Sequence, residues 1–234
     1  MSAFPVLLVV LGIAVVIAVG VYAYQADKKR RAALQAFALS NGWTYSAADD
    51  SWCNRFAGSP FGDGDHRRSR NVLQGQHNGV PMVAFDYSYE THSTDSKGNR
   101  TTTTHRYAVC ALQLPAPLPL LELSPESVLT RVAGALGVPD IELESEDFNR
   151  RYRVKAHDRK FAYDVLNPRT MQALLSRPAQ HMRLLDVDAI CWENGRLAPV
   201  ELIARLSTLQ TLITGIPSFV WSDHREATPG GATA

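Results

Sequence analysis

Residues 71–91, NVLQGQHNGVPMVAFDYSYET, form the stretch that decides the fold. Apolar and polar side chains alternate on both sides of Asn78-Gly79, a dipeptide that favours the tight turn between two antiparallel strands. The sequence therefore predicts a β-hairpin with strands over 71–77 and 80–91.

A third strand is expected to complete an antiparallel meander. The polar loop 95–99 returns the chain into residues 101–114, which again have strand composition. Folding this second hairpin about Lys97 predicts two cross-strand neighbours. These are Tyr89 opposite His105 and His92 near Thr102. Prolines at 115, 117 and 119 are expected to end the strand and to lead into a short strand over 120–123.

Helices and strands alternate in the rest of the chain. Ser124-Pro125-Glu126 predicts a helix start, because serine caps helices and proline suits their first position. A strand is predicted over 148–156, followed by two short helices that Asp158 and Asn167 would cap. Asn194-Gly195 predicts a second hairpin. A last helix is predicted from residue 199 to near residue 215.

An apolar run at the N-terminus predicts a membrane anchor. Residues 4–24 carry no charged or strongly polar side chain. At about 1.5 Å per helical residue this run spans roughly 30 Å, the thickness of a bilayer core. We therefore expect the chain to contact the lipid bilayer through residues 4–24 and to cross it once.

Positive charge gives the anchor a direction. Four basic residues follow the apolar run directly: Lys28, Lys29, Arg30 and Arg31. Positive charge resists translocation, so the sequence predicts a single-pass protein of the cell membrane with its N-terminus outside and its C-terminal domain in the cytoplasm. The same four residues are predicted to touch anionic head groups at the membrane surface. A cleaved signal peptide ending near 21–23 is the alternative, but such peptides carry their positive charge before the apolar run.

The fold class expected is therefore α+β, with one N-terminal transmembrane helix followed by a soluble domain of antiparallel sheet packed with several helices. We expect a transmembrane anchor over 1–26 and a juxtamembrane helix over 27–42. The soluble domain would occupy 43–222, with a possible sub-boundary near 115–125, and residues 223–234 would form a disordered tail.

Composition argues against several function classes. Hydrophobic residues make up 45% and charged residues 20% of the chain, as in an ordinary globular protein. A formal net charge of +1 lacks the basic surplus of nucleic-acid binders, so no nucleic-acid partner is expected. Cys53, Cys110 and Cys191 are odd in number and lack C-x-x-C spacing, which predicts three reduced, buried thiols.

No common catalytic motif occurs in the sequence. The patterns G-x-x-x-x-G-K-[ST], G-x-G-x-x-G, H-E-x-x-H and G-x-S-x-G are all absent. We therefore expect no catalytic residue, no cofactor and no metal, and lean towards a protein that is not an enzyme.

Two groups of side chains leave a metal-dependent alternative open. Four histidines fall in the meander region: His66, His77, His92 and His105. Asp186 and Asp188 form a D-x-D pair of the kind that holds Mg²⁺ in some transferases. A metal ion needs three or four converging ligands, so solvent-facing positions are favoured for both groups. The alternative function is a metal-assisted hydrolase or transferase.

One block carries a family resemblance. Residues 148–154, FNRRYRV, are followed by Asp158, Ala162, Leu166-Asn167-Pro168-Arg169 and Met171. An F-x-R-R-Y-x-V strand followed by two short helices resembles a domain of unknown function shared by uncharacterised bacterial membrane-anchored proteins. The resemblance implies a transmembrane segment joined to an α+β domain, and it implies no ligand or catalytic residue.

The sequence as a whole predicts a membrane-tethered cytoplasmic module. Its expected role is to bind a membrane or cytoplasmic protein partner, or the inner leaflet. Contacts of the anchor with another membrane helix through Gly12 and Gly20 are a weaker alternative, because their spacing is not G-x-x-x-G.

Overall fold

The computed structural model describes residues 3–126 and 140–226. Within these ranges the helices are α1 (Ala3–Ser40), α2 (Glu146–Arg151), α3 (Arg159–Val165), α4 (Pro168–Leu175), α5 (Pro199–Thr214) and α6 (Ser218–Glu226). The strands are β1 (Thr44–Ala48), β2 (Asp65–His77), β3 (Val80–Thr94), β4 (Arg100–Pro125), β5 (Asp140–Ile141), β6 (Tyr152–Ala156) and β7 (His181–Asn194). A short 3₁₀ helix covers Asp50–Asn54. The predicted α+β class is confirmed.

All seven described strands belong to one antiparallel sheet built around β4. One edge of β4 pairs with β7. The opposite edge pairs first with β3, which continues to β2 and β1, and then with β6, which continues to β5. β4 is therefore the strand that joins the two halves of the domain.

The predicted meander is confirmed. Asn78 and Gly79 have φ angles of 50° and 80°, as the tight turn between β2 and β3 requires. Both predicted neighbour pairs across the next hairpin are in register, with Tyr89 opposite His105 and His92 opposite Thr102. Turn chemistry and side-chain alternation were sufficient to fix this pairing, since both are local.

The prediction that prolines end the third strand is wrong. β4 continues through residues 115–119 to Pro125. Its pairing with β3 ends at Leu112, and its pairing with β6 begins at Leu121. The prolines fall where that edge of β4 exchanges one neighbour for another and where the register with β7 also shifts, so the missing N–H groups are tolerated in this stretch. β4 also runs without a break through 115–125, where the sequence suggested a sub-boundary.

The predicted second hairpin is also wrong. β7 pairs with β4, and the residues after Asn194-Gly195 form no strand. The Gly195 N–H instead donates to the Arg106 carbonyl oxygen at 2.9 Å. The Leu197 N–H donates to the Asp86 carboxylate at 2.7 Å. This N–H therefore bonds to a side chain and not to the main chain of a neighbouring strand.

The resemblance block contains a helix where a continuous strand was expected. Ser145 caps α2 by accepting a hydrogen bond from the Phe148 N–H, so only Tyr152–Ala156 remains as strand. The caps predicted at Asp158 and Asn167 are confirmed.

Two predictions concern segments near the edges of the described ranges. Ser124 and Pro125 lie in β4 and Glu126 lies in a turn, so no helix begins there, and the later residues of the predicted helix fall outside the described ranges. α6 continues to Glu226, so the tail predicted from residue 223 begins too early. The buried Val220 and the contact between the Phe161 and His224 rings hold this helix on the domain.

Both faces of the sheet are covered. Met82 and Ala84 belong to a large cluster that includes buried residues of all six helices, whereas Val83 and Phe85 belong to a second cluster on the opposite face. Phe56 and Phe61 cover that second face from the segment after the 3₁₀ helix. The three cysteines are buried and free, as predicted.

Gly75 provides a test of the packing between α1 and the sheet. A Cβ at this position would overlap the Trp43 ring, whose Nε1 donates to the Gln76 carbonyl oxygen at 2.8 Å. We expect Gly75→Ala to lower the free energy of unfolding by about 1–3 kcal/mol, as overpacking does. Urea titration of the full chain in detergent measures this loss. The neighbouring exposed residue supplies the control, and Gln76→Ala should stay within about 0.5 kcal/mol of the parent.

Candidate functional site

α1 is one unbroken helix that has an exposed apolar half and a packed half. Among residues 3–126 and 140–226 it is the one helix long and apolar enough to cross a membrane by length and composition. The side chains from Val10 to Tyr24 are exposed, whereas Leu34 and Ala38 are completely buried against the domain. The same rigid element therefore carries the apolar segment and forms part of the core.

Arg30 joins this helix to the sheet. One nitrogen of its guanidinium group, Nη1, donates to Asp86 Oδ2 at 2.9 Å and to the Leu197 carbonyl oxygen at 3.2 Å. The other, Nη2, donates to Asp27 Oδ1 at 3.3 Å. The Arg30 side chain is 21% exposed, so these hydrogen bonds are sheltered from water on most sides. We call Asp27, Arg30, Asp86 and the Leu197 main chain the anchor clamp.

Asp86 is the centre of the anchor clamp. Its carboxylate is 14% exposed and accepts hydrogen bonds from Arg30, from the Leu197 N–H and, at 2.7 Å, from Asn71 Nδ2. Asn71 Oδ1 in turn accepts from the Tyr45 hydroxyl at 2.8 Å. Hydrogen bonds to a charged group typically contribute about 1.5–3 kcal/mol, more than neutral ones. One carboxylate therefore connects α1, β1, β2 and the segment before α5.

Asp27 extends the network on the helix itself. Its carboxylate pairs with Arg31 at 2.7 Å and with Arg196 at 3.0 Å, in addition to Arg30. Arg196 belongs to the segment after β7, so Asp27 makes a second link between α1 and the domain. This pairing gives the segment after Asn194 a partner that the sequence did not reveal.

The four residues predicted to touch the membrane surface are in different environments. Lys28 and Lys29 are exposed. Arg30 is engaged in the anchor clamp, and the half-exposed Arg31 is paired with Asp27. Contact with lipid head groups stays a prediction, and the structure leaves Lys28 and Lys29 the most accessible for it.

The Asp186/Asp188 pair lines a small cleft rather than a group of ligands. Arg55 Nη2 donates to Asp188 at 3.0 Å, and both residues border a cavity of about 120 Å³. Asp186 lies at a β-bulge with a φ of 53°. In the described parts of the chain no third metal-ligating side chain converges with this pair. The arrangement fits an ion pair with Arg55 and gives no support to a Mg²⁺ site.

Arg183, which lines the same cleft, is a buried residue that the sequence analysis missed. Its side chain is 4% exposed and pairs with Glu122, while its guanidinium group binds the carbonyl oxygens of Ala57 and Ser59 and stacks on Trp192. The sequence feature that could have indicated this residue is the position of an arginine within the apolar run of β7. This arginine holds the loop before β2 onto the sheet.

The structure brings together two of the four meander histidines and leaves the other two apart. His77 lies at the far end of β2, is buried, and contacts Asn78. His105 contacts Thr91 and stacks on Tyr89. His66 and His92 come together beside Asp65 and Glu90. Sequence analysis identified the two histidines that meet, but not the two carboxylates that accompany them.

Comparison with known proteins gives a fold relationship. No protein-family model matches the chain, and no curated protein matches it in sequence. The crystal structure of the mycobacterial trehalose monomycolate transport factor A, TtfA, is similar in fold, with a TM-score of 0.58 and 15% identity. The similarity covers 80% of this chain and 96% of that one. At this level of identity the comparison establishes a shared fold.

The anchor clamp can be tested by a double-mutant cycle. We expect Arg30→Ala and Asp86→Ala each to lower the free energy of unfolding by about 1–3 kcal/mol, because each leaves a partly buried charge without its partner. The double variant should cost less than the sum of the two, with a coupling energy of about 0.5–3 kcal/mol. Urea titration in detergent gives all four values. Lys29→Ala is the matched control on an exposed position of the same helix, and a coupling energy of zero would contradict the clamp.

The burial of Asp188 in the cleft predicts how the stability of the protein depends on pH. Burial raises the pKa of Asp188, although the charge and hydrogen bond of Arg55 oppose this and Asp186 adds to it. A raised pKa in the folded state means that folding favours the protonated carboxyl, so its contribution to stability falls as pH rises through the folded pKa. We expect Asp188→Asn to be more stable than the parent at pH 7. The difference should shrink as pH falls below the folded pKa, in urea titrations across this range.

Proposed function

We propose that this chain is a membrane-tethered module that binds a membrane protein partner from a fixed position beside the bilayer. The observation that carries the proposal is the anchor clamp. A flexible linker would be sufficient to keep a domain near a membrane. Here α1 passes from the apolar segment into the core without a break, and Arg30 locks it to Asp86. A fixed orientation is useful where the domain must meet a partner that is itself fixed in the membrane.

The order of contacts along α1 indicates which part of the domain faces the bilayer. Near its C-terminal end, Ala38 packs with Trp43, which lies against Gly75. Nearer the apolar segment, Arg30 reaches Asp86. β3 therefore runs towards the apolar segment as it passes from Met82, the partner of Gly75, to Asp86. On this basis the hairpin between β3 and β4 lies on the membrane-proximal side of the domain.

The charge distribution supports the proposed topology. Lys28 and Lys29 are exposed just beyond the apolar half of α1, as expected for the cytoplasmic end of a transmembrane helix. We therefore propose a single-pass protein of the cell membrane with its C-terminal domain in the cytoplasm. The bacterial membrane-anchored proteins with the F-x-R-R-Y-x-V block remain the proposed family.

The fold comparison is consistent with a role in transport. One solved structure with this fold is that of a protein described as a trehalose monomycolate transport factor. We extend to this chain the general role of a transport factor, and leave its cargo open. Such a role agrees with a module that binds a membrane protein.

Site-specific photo-crosslinking in intact membranes tests partner binding. A crosslinking residue placed at Ser96 in the hairpin turn should capture a discrete membrane protein that mass spectrometry can identify. Asp86→Ala, which removes the carboxylate that binds Arg30 and the Leu197 N–H, should reduce that product several-fold, whereas Gln76→Ala at an exposed strand position should leave it unchanged. Crosslinks to lipid alone, or a protein product of equal yield in Asp86→Ala, would contradict the proposal.

Protease protection tests the topology separately. We expect the domain to resist protease added outside intact cells and to be cleaved once the membrane is opened. Moving the positive charge should weaken this orientation, so replacing Lys28, Lys29 and Arg31 by glutamine while adding three lysines before residue 4 should expose the domain in part of the population. Cleavage of the parent protein in intact cells would overturn the cytoplasmic assignment.

A further inference from the structure

A second feature of the meander lies outside the clamp and has the composition of a metal site. Asp65, His66, Glu90 and His92 each offer one ligand atom, and these four atoms lie within 4.8 Å of one another. No other group of three or more histidine, cysteine or carboxylate side chains converges in this way within the described ranges.

Strand register explains how three of the four side chains meet. Asp65 at the start of β2 is paired with Glu90 on β3. His92 follows two residues after Glu90, so both side chains are on the same face of that strand. Sheet pairing alone therefore places two carboxylates and one imidazole together.

An irregular backbone brings in the fourth side chain. Successive residues of a regular strand point to opposite faces, but His66 has a φ of 49°, and the register of β2 shifts after Asp65. His66 Nδ1 consequently lies 3.4 Å from Asp65 Oδ1. Gly64 permits this geometry, because a Cβ there would overlap the Glu90 carbonyl oxygen.

Three of the six ligand–ligand distances fit tetrahedral coordination of one ion, and all six are within 4.8 Å. His66 Nδ1 lies 3.2 Å from Glu90 Oε2, and His92 Nε2 lies 3.2 Å from Asp65 Oδ1. Zinc bonds of about 2.0–2.1 Å arranged as a tetrahedron place the ligand atoms roughly 3.3–3.4 Å apart. Three of the ligand–ligand distances, including the one between His66 Nδ1 and Asp65 Oδ1, are therefore close to the separation that bound zinc requires.

A hydrogen bond outside the group orients one of the ligands. His92 Nδ1 lies 2.9 Å from Thr102 Oγ1 on the neighbouring strand β4. When the Nδ1–H donates to this hydroxyl, the lone pair of Nε2 is free to bind an ion held between His92 and Asp65. Metal-binding histidines in proteins are commonly held in this way through their second ring nitrogen.

We propose that Asp65, His66, Glu90 and His92 form a Zn²⁺-binding site. Two neutral imidazoles and two carboxylates bring a charge of −2 to a divalent ion. Mixed nitrogen and oxygen ligands suit zinc better than Mg²⁺ or Ca²⁺, which prefer oxygen alone. Four protein ligands leave no open position for a substrate in a tetrahedral site, so the ion serves structure. It fastens the start of β2 to the long β3–β4 hairpin.

The test is metal binding by the full chain, purified in detergent without a polyhistidine tag. Titration with Zn²⁺ should show one equivalent bound, and Co²⁺ should give the visible absorption of a tetrahedral site that Zn²⁺ then displaces. Mg²⁺ in excess should not compete. Saturation with Zn²⁺ should also raise the melting temperature, since binding to the native state alone stabilises it.

Variants distinguish this site from other histidines. His66→Ala and His92→Ala should each weaken Zn²⁺ binding at least tenfold, and Thr102→Val should weaken it by about 10–100-fold through the lost orienting bond. His157→Ala is the matched control, because His157 is exposed and lies outside the group. Far-UV circular dichroism checks that each variant is folded.

Two outcomes would overturn the proposal. The first is the absence of stoichiometric Zn²⁺ binding by the folded parent chain, which would leave the four residues as an ion-paired surface group. The second is binding that persists unchanged in a folded His66→Ala/His92→Ala double variant. Both outcomes are independent of partner binding at the membrane, so the zinc site can fail while the proposed function stands.

Discussion

The main-chain hydrogen bonding of β4 is the constraint on which the rest of the structure depends. This strand runs from Arg100 to Pro125 and is paired along both edges. β7 follows one edge, while the other edge changes from β3 to β6 between Leu112 and Leu121. A strand that exchanges neighbours must pass through a stretch with a free edge, and proline is tolerated there because it has no N–H to leave unpaired. The proline-rich segment thus joins two strand sets into one sheet and lets helices from both halves share one core.

The anchor clamp makes the helix that carries the apolar segment part of this architecture. Arg30 and Asp86 are charged residues whose side chains are only 21% and 14% exposed, because the elements around the clamp cover them. Separating them would leave a partly buried charge without a partner, which costs more than losing a surface ion pair. The helix, the sheet and the segment before α5 are therefore joined, and in the proposed membrane location the position of the domain relative to the bilayer would follow from the position of α1. A fixed position distinguishes the proposed partner-binding role from simple retention at a membrane.

The proposed zinc site and the clamp lie along the same strand, β3, but act on different elements. Asp86 faces α1, whereas Glu90 and His92 face the irregular start of β2. A metal ion at the second position would stiffen the hairpin that extends beyond the clamp. The two sites together would define the orientation of β3 at both its middle and its end.

The sequence by itself determined several features whose cause is local. The apolar run, the Asn78-Gly79 turn, the caps at Asp158 and Asn167, and the register that pairs His92 with Thr102 all depend on neighbouring residues, so they could be predicted without a structure. Tertiary structure alone decided the course of β4 through its prolines, the pairing of β7 with β4, and the partners of Arg30, Asp86 and Arg183. It also brought His66 to Glu90 through a backbone irregularity that no spacing indicates. These features depend on residues far apart in the chain, whose hydrogen-bonding needs are balanced only when the elements pack.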